Sequence, residues 1–423
     1  MAQRLIDRPS EADLAQCVHC GFCLQECPTY LQLGMETDSP RGRIHLIRAI
    51  AEERVEPTNS LVAHLDLCLQ CRACETACPS SVPFGRIMES GRAMLVEQGK
   101  VPLAWRMRVA FMRQLLPYPG RLRALFSLLR LYQRSGIQRL ARATGVLRLL
   151  RLAEAESLLP DVPARAFVMP ETRSNGARRV GLLTGCVMPH LYPRTHEATV
   201  RVLERNGVEA VAPEAQRCCG ALNLHAGDRR TARELARRNV DAFLDVGVEA
   251  IVVNSAGCGS TMKEYGDLLE HDEAYAEKAA RMSSMVRDVS EYLVELPFER
   301  PKGPLPARVT YQDSCHLVHA QKVRAAPREV LGAIPGLELM EMGSPDRCCG
   351  SAGVYSFAQR EMSLRVLDDK MDDVASTGAE TIATANPGCM MQLEAGLRRH
   401  KLPGRVVHIV ELLDESYRAE GGA

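Results

Sequence analysis

Two runs near the start of the chain decide its fold: Cys17-Val-His-Cys20-Gly-Phe-Cys23-Leu-Gln-Glu-Cys27-Pro28 and Cys68-Leu-Gln-Cys71-Arg-Ala-Cys74-Glu-Thr-Ala-Cys78-Pro79. Both have the pattern C-x-x-C-x-x-C-x-x-x-C-P, and each position of the second run lies 51 residues after its counterpart. The close spacing lets three thiols of one loop face a common centre. The proline fixes the backbone after the fourth cysteine and turns the chain away from the loop. The pattern therefore predicts two metal-binding loops.

The spacing is that of the ligand runs of two-cluster bacterial ferredoxins, in which the fourth cysteine of each run binds the other [4Fe–4S] cluster. It predicts one cluster on Cys17, Cys20, Cys23 and Cys78, and a second on Cys68, Cys71, Cys74 and Cys27. The fourth cysteine of each run is expected at a helix start. Zinc is the alternative, because C-x-x-C pairs also bind zinc, but no zinc pattern explains a doubled four-cysteine run ending in proline. Helix-period isoleucines between the runs favour a helix-rich ferredoxin domain.

The other eight cysteines form an internal repeat. Cys186, Cys218, Cys219 and Cys258 match Cys315, Cys348, Cys349 and Cys389 with offsets of 129 to 131 residues, and a glycine follows each cysteine pair. Apolar runs at 179–186, 249–258, 308–315 and 381–389 read as strands, and segments such as 228–246 and 359–375 as helices. This alternation predicts a parallel α/β layer in each copy. Ligands of such sheets bind beyond the carboxyl ends of the strands, where the cysteines of each copy should meet.

The role of these eight thiols stays open at the level of sequence. A glycine after each Cys-Cys pair permits a tight turn that aims both thiols at one metal centre. A vicinal disulfide and simple burial of the thiols as small apolar groups are the alternatives.

Composition excludes several functions. The chain has 423 residues, 53 Lys and Arg against 52 Asp and Glu, and 4% aromatic residues. This balance argues against a nucleic-acid-binding protein. The N-terminus has no apolar signal segment, and no apolar stretch is long enough for a membrane span. A reducing compartment is therefore expected, with a cytoplasmic chain that is at most peripheral to the membrane.

The middle of the chain is strongly basic. Residues 98–153 hold no Asp or Glu but one lysine and eleven arginines, interleaved with Leu, Phe and Met. These arginines are Arg106, Arg108, Arg113, Arg121, Arg123, Arg130, Arg134, Arg139, Arg142, Arg148 and Arg151. Basic amphipathic helices of this kind are typical of membrane-surface segments or of docking faces for acidic partners. The alternative is a helical linker whose arginines face water. Residues 155–178 read as a linker.

Three histidines near the repeat cysteines, His225, His316 and His319, are candidates for a proton relay, although a single histidine is more often structural. A strand followed by G-x-G-x-x-G is absent from the sequence, so no flavin site is expected on this chain. A partner would then supply the two-electron chemistry.

The cysteine pattern resembles known proteins. The Cys-Cys-Gly copies resemble the cysteine-rich domains of heterodisulfide reductases, and the order of ferredoxin runs followed by two copies resembles the glycolate oxidase iron–sulfur subunits most closely. The iron–sulfur subunit of anaerobic glycerol-3-phosphate dehydrogenase is also similar. The resemblance rests on the first ferredoxin run, Pro40-Arg-Gly-Arg43, Ser255-Ala-Gly-Cys258-Gly, Lys263-Glu-Tyr-Gly266, His319-Ala-Gln-Lys322 and Cys348-Cys-Gly-Ser-Ala-Gly353. The heterodisulfide reductase pattern has a fifth cysteine per copy, where this chain has Thr261 and Gln392.

The resemblance implies an electron-transfer subunit of an oxidoreductase complex with no catalytic residue of its own. An FAD-binding partner would oxidise glycolate or another 2-hydroxy acid, and electrons would pass through this chain towards a membrane quinone. A glycerol-3-phosphate or D-lactate dehydrogenase subunit, or a thiol redox enzyme, is the alternative. The expected fold is α+β: a two-cluster ferredoxin-like domain at 1–100, a basic helical segment and linker at 101–178, and Cys-Cys-Gly α/β repeats at 179–300 and 301–423.

Overall fold

The computed structural model describes residues 7–149, 156, 159–170 and 178–420. The chain ends 1–6 and 421–423, residues 171–177 of the expected linker, and Arg151 lie outside the described residues. The expected fold class is confirmed, with a helical N-terminal region followed by two parallel β-sheets. Among the helices that the structure describes, none is both long enough and apolar enough to cross a bilayer.

The N-terminal region is built from short helices around the two ferredoxin runs. Its α-helices span Glu11–Ala15, Pro28–Leu33, Pro40–Ala51, Asn59–Asp66, Ala73–Thr76 and Phe84–Glu97, and 3-10 turns lie at Phe22–Leu24 and Glu36–Asp38. Helix Pro40–Ala51 begins where the Ser39 hydroxyl accepts the Gly42 N–H at 3.0 Å. Ile47, Leu65 and Ile87 are fully buried between these helices. This core fixes the two loops that carry the thiols.

The expected helix start after the fourth cysteine occurs in one run only. Cys27 is the N-cap of helix Pro28–Leu33, with proline in its first turn. Cys78 is followed instead by a turn in which the Ser81 N–H donates to the Cys78 carbonyl at 3.2 Å, and the next helix begins at Phe84. The second run differs because Ser81 has a left-handed φ of 51°, and because Val82, the residue before Pro83, avoids the helical region.

The basic segment forms helices at Leu103–Leu115, Pro119–Arg134, Ile137–Ala143 and Val146–Leu149. The first helix docks on the first repeat, since the Trp105 Nε1–H donates to the Ala226 carbonyl at 3.0 Å. Arg113 also forms two hydrogen bonds to the Asp228 carboxylate. Part of the positive charge is therefore used inside the fold.

Each repeat contains a four-stranded parallel sheet. The first has the order β2-β1-β3-β4 and the second β6-β5-β7-β8, so strand order and direction are the same in both. The strands are β1 Arg178–Leu183, β2 Val208–Val211, β3 Ala250–Val253, β4 Val286–Asp288, β5 Ala307–Tyr311, β6 Leu337–Leu339, β7 Thr381–Thr384 and β8 Arg405–His408. The central strands carry runs of buried apolar residues, as is typical of parallel sheets that helices cover on both faces.

The predicted helices lie between the strands. The first repeat has α-helices at Met188–Leu191, Pro193–Arg205, Ala221–His225, Arg229–Leu244, Ala256–Lys263, Tyr265–Leu268, Ala276–Met285 and Val289–Glu295. The second has them at Ala325–Gly332, Tyr355–Ala358, Arg360–Ser376, Pro387–His400 and Ile409–Ala419, with a π-helical turn at His316–Ala320. The two repeats meet at their cysteine loops, where the Ala256 N–H donates to the Ala385 carbonyl at 3.0 Å.

Candidate metal centres

A first cavity lies in the exposed ferredoxin loop. Cys17, Cys20, Cys23 and Cys78 line it, so the structure brings together the four cysteines predicted for the first cluster. Burial raises the pKa of Cys23 to about 11. Arg41 also lines the cavity, and its Nη1–H donates to the His19 carbonyl at 2.9 Å. A guanidinium thus stands beside a group of sulfur ligands.

A second cavity lies deeper in the same domain. It is lined by Cys27, Cys68, Cys71 and Cys74, the four cysteines predicted for the second cluster. Burial raises the pKa of Cys71 and of Cys74 well above the usual range. The thiolate is the form that ligates metal, and metal binding releases the thiol proton. This donor set therefore fits an iron–sulfur cluster.

Arg43 is buried beside the second cavity. Its side chain is 1% exposed, and its Nη1 lies 3.8 Å from the Cys27 Sγ. Nε–H donates to the His64 carbonyl at 2.9 Å, and Nη2 lies 3.4 Å from the buried Asp38 carboxylate. Burial opposes the charge, but Cys68, Cys27 and Asp38 raise the pKa of Arg43. A buried cation at this position offsets the negative charge of thiolate ligands.

The four cysteines of the first repeat meet beyond the strand ends. Cys186 follows β1, Cys218 and Cys219 precede helix Ala221–His225, and Cys258 lies in the helix after β3. The turn after the pair requires Gly220, whose φ is 83°. Cys186, Cys218, Cys219 and Cys258 line one cavity. Interaction with the neighbouring thiols of Cys186 and Cys219 lowers the pKa of Cys218.

The second repeat repeats this arrangement. Cys315, Cys348, Cys349 and Cys389 line the same cavity, and interaction with the neighbouring thiols of Cys315 and Cys349 lowers the pKa of Cys348. Gly350 has a φ of 84°, and a Cβ there would lie 2.5 Å from the Ser363 carbonyl oxygen. The expected convergence and the tight turn are therefore both present in the two copies.

Two alternatives for these thiols gain no support from the geometry. All sixteen cysteines are free, so neither Cys-Cys pair is a vicinal disulfide. Among the described residues, no group of three or more His, Cys, Asp or Glu side chains is placed to hold a single metal ion. The positions without a fifth cysteine have internal partners: Thr261 donates to the Gly257 carbonyl and Gln392 to the Ser363 hydroxyl.

The four cysteine groups follow one another through the molecule. Cys74 lines both ferredoxin cavities. Cys71 and Cys348 belong to one buried cluster, which joins the second ferredoxin cavity to the second repeat. A third and larger cavity is lined by all eight repeat cysteines. Closely spaced redox centres in this order would form a path for single electrons.

The candidate relay histidines lie in two places. His225 and His316 line the third cavity with their ring centroids 5.3 Å apart. Burial lowers the pKa of His316 to about 4, and its Nε2 lies 2.9 Å from the Gln70 carbonyl oxygen. His319 lies elsewhere, with its ring nitrogens 2.9 Å from the Thr76 hydroxyl and 3.1 Å from the Asp346 carbonyl. The structure therefore brings together only the first two.

Several residues of the site were missed from the sequence. Gln70 lines the third cavity. Glu89 lies against His225, which also lines it. The helices of the basic segment form one wall of the cavity. Arg92 donates to the carbonyls of Leu65, Cys68 and His225, which joins the ferredoxin region to the first repeat. The only sequence signal for Arg92 is a charged residue on the apolar face of a helix.

Comparison with known families covers most of the chain. Residues 13–82 match the 4Fe-4S dicluster domain, and residues 180–263 and 309–394 each match the cysteine-rich domain. Residues 105–159 match the linker region of the glycolate oxidase iron-sulfur subunit. The matches support iron–sulfur clusters in the N-terminal region and place the basic helices in the family's linker region.

Individual relatives agree with these matches. The chain is 42% identical to the probable glycolate oxidase iron-sulfur subunit of Bacillus subtilis, over 97% of this chain and 95% of the relative. It is 36% identical to the glycolate oxidase iron-sulfur subunit of Escherichia coli, over 98% and 97%. Lactate utilization protein A of an Exiguobacterium species is 29% identical over 56% of this chain and 98% of that protein. A hypothetical protein from Helicobacter pylori shares the fold, with a TM-score of 0.59, 8% identity, and coverage of 97% of this chain and 73% of the other.

Proposed function

Because the chain belongs to the family of glycolate oxidase iron–sulfur subunits, we propose that it carries electrons from an FAD-binding partner subunit towards a membrane quinone. The partner would oxidise glycolate or a related 2-hydroxy acid. The observation that carries the proposal is the unbroken succession of cysteine groups from the exposed first ferredoxin cavity to the third cavity. The location would be cytoplasmic, at the membrane surface.

We assign the ligands by cavity. Cys17, Cys20, Cys23 and Cys78 hold one [4Fe–4S] cluster, and Cys68, Cys71, Cys74 and Cys27 hold the second. Cys186, Cys218, Cys219 and Cys258, and Cys315, Cys348, Cys349 and Cys389, hold further iron–sulfur centres. When bound, such clusters take up and release single electrons. We also propose that the ferredoxin-like domain ends at residue 100, the basic segment and linker at 178, and the first repeat at 300.

The protein supplies the environment of these centres. Arg41 and Arg43 place positive charge beside the ferredoxin thiols. The first cavity is the proposed docking point for the flavin partner, because Cys20 is exposed and the neighbouring Val18 and Phe22 are 68% and 66% exposed. Apolar side chains exposed at a redox site are suited to a partner surface.

Iron and acid-labile sulfide analysis of the anaerobically purified chain tests the ligand assignment. About eight iron atoms per chain would correspond to the two ferredoxin clusters alone, and a larger number to occupied repeats. Zinc in place of iron would contradict the proposal. A Cys186→Ser variant should keep the eight iron atoms of the ferredoxin clusters and lose only iron bound by the repeats. Cys17→Ser should instead lose iron from the ferredoxin region.

Electron flow is tested with the partner flavoprotein, identified by co-purification. With a 2-hydroxy acid as donor, Cys17→Ser should leave flavin reduction intact and block quinone reduction. If Cys17→Ser reduced quinone at the wild-type rate, the first cluster would not lie on the electron-transfer path. Glycolate and lactate should both be supplied, because the lactate utilization relative favours lactate as the second candidate substrate.

A further inference from the structure

The third cavity is larger than its thiols explain. It has a volume of about 2910 Å³, including its open mouth, and it extends from the repeat cysteines to helices Leu103–Leu115 and Pro119–Arg134. Metal centres on the cysteines would occupy only its inner end. The remainder is a channel between the redox groups and the outside of the protein.

The wall of this channel is apolar. Phe111, Leu115, Leu122, Phe126 and Leu129 line it on the side of the two helices. The mouth is also apolar, since Phe111 and the lining residue Leu128 are 60% and 65% exposed. An exposed apolar rim that continues into an apolar channel is suited to a long hydrocarbon chain.

The inner end of the channel has polar atoms without partners. Gln70 is 4% exposed, and neither its Nε2 nor its Oε1 has a hydrogen-bond partner among the described residues. The same holds for Nε2 of His225, while its Nδ1 lies 3.0 Å from the Glu89 carboxylate. An unpaired buried amide is destabilising, so a ligand oxygen at this position would be stabilising.

The two helices that line the channel also carry exposed positive charge. Arg106, Arg123 and Arg134 are exposed, and within the described ranges none of them has a carboxylate partner. Exposed arginines beside exposed leucines match the surface of an anionic bilayer, which attracts lysine and arginine. A bilayer bound to these helices would be a source of lipophilic molecules.

We propose that this channel is the quinone site of the chain, with the quinone ring between Gln70 and His225 and the isoprenoid tail along Phe111, Leu122 and Phe126. The inference deepens the proposed function and rests on it. The Gln70 amide donates a hydrogen bond to a quinone carbonyl. His225 Nε2 accepts a hydrogen bond from the quinol hydroxyl, while Glu89 orients the ring through Nδ1–H. A ligand with a small oxygen-bearing head and a long apolar tail satisfies both ends of the channel.

Binding is measured by isothermal titration of the anaerobically purified, iron-loaded full chain with decylubiquinone. Leu129→Trp fills the channel and should weaken binding about tenfold or more, a loss of about 1.4 kcal/mol or more. Leu131→Trp is the matched control, because Leu131 lies on the same helix, is 60% exposed and does not line the channel. It should bind like the wild type.

The head-group contacts are tested with Gln70→Leu and with n-decanol, which has the tail but no ring. Gln70→Leu should weaken quinone binding and leave n-decanol binding unchanged, with the iron content and electron paramagnetic resonance spectrum retained. Absence of quinone binding, binding indifferent to Leu129→Trp, or equal binding of n-decanol and quinone would each overturn the proposal. Equal binding would identify a lipid chain as the occupant.

Failure of this inference can be distinguished from failure of the proposed function. Reduction of the iron–sulfur absorbance by the partner flavoprotein and a 2-hydroxy acid needs no quinone. If that reduction proceeds while decylubiquinone fails to bind, electron transfer stands and the quinone site lies on another chain.

Discussion

The buried ion pair between Arg43 and Asp38 offers the sharpest test of how the ferredoxin region is held together. The two side chains are 1% and 2% exposed, with 3.4 Å between Nη2 and Oδ1. Arg43→Met keeps an unbranched apolar stem but removes the guanidinium group and its charge. Asp38 then remains buried with only His64 Nδ1, at 3.0 Å, as a side-chain partner, and the His64 carbonyl loses its donor.

The expected cost follows from these contacts. Removing one member of a buried ion pair typically destabilises a protein by about 3–5 kcal/mol, because the other charge stays desolvated. With a urea dependence of about 3 kcal/mol per molar, the unfolding midpoint should fall by about 1 M or more. Asp38→Asn added to Arg43→Met should recover part of the loss, since the remaining buried group is then neutral.

The assay is urea unfolding followed by far-UV circular dichroism under anaerobic conditions. Arg48→Met is the matched control, because Arg48 lies on the same helix and pairs with Glu52 at the surface. It should leave the midpoint unchanged. If Arg43→Met unfolds at the same urea concentration as Arg48→Met, the buried pair does not stabilise the region and the argument from burial is wrong.

Three further changes test other parts of the fold. Gly350→Ala places a Cβ 2.5 Å from the Ser363 carbonyl at a φ of 84°, and it should lower the iron bound by the second repeat. Gly34→Ala is the control, because Gly34 has a φ of 65° with open space around it. This variant should retain the wild-type iron content. Burial raises the pKa of Glu394 to about 7, so the protonated carboxyl is favoured in the folded state and stability falls as pH rises from about 4.5 to about 7. Glu394→Gln should therefore raise the melting temperature at pH 8 but not at pH 4.5, and an equal rise at both would contradict this assignment. Arg113→Met leaves the Asp228 carboxylate, 1% exposed, without its cation and should cost about 1–3 kcal/mol. Faster amide exchange in helix Leu103–Leu115 would detect this loosening, and unchanged exchange would show that the other contacts of the helix hold it without this ion pair.

The repeats were predictable because their signals are local. A short apolar run followed by cysteine predicts both a buried strand and the residue at its end, as in β1 with Cys186 and β3 with Cys258. The glycine after each Cys-Cys pair was predictable for the same reason, since φ values of 83° and 84° are costly for other residues. The duplication then allowed each copy to be checked against the other.

The rest of the site depends on residues far apart in the chain. Glu89 meets His225 across 136 positions, and Arg92 reaches the His225 carbonyl across 133. The sequence of helix Phe84–Glu97 does not reveal which element covers its buried face. The turn after Cys78 was mispredicted because a match in cysteine spacing says nothing about Pro83, which lies outside the pattern.

In the proposed ligand sets, each ferredoxin run gives its fourth cysteine to the cluster of the other run, and this has a consequence for assembly. In these sets, each cluster takes three thiols from one run and one from the other, Cys78 in the first and Cys27 in the second. Neither run can be shortened to an independent one-cluster unit, because deleting either leaves both ligand sets incomplete. Insertion of the first cluster would bring the two runs together and pre-form the remaining site, so intermediates carrying a single cluster should be scarce during maturation.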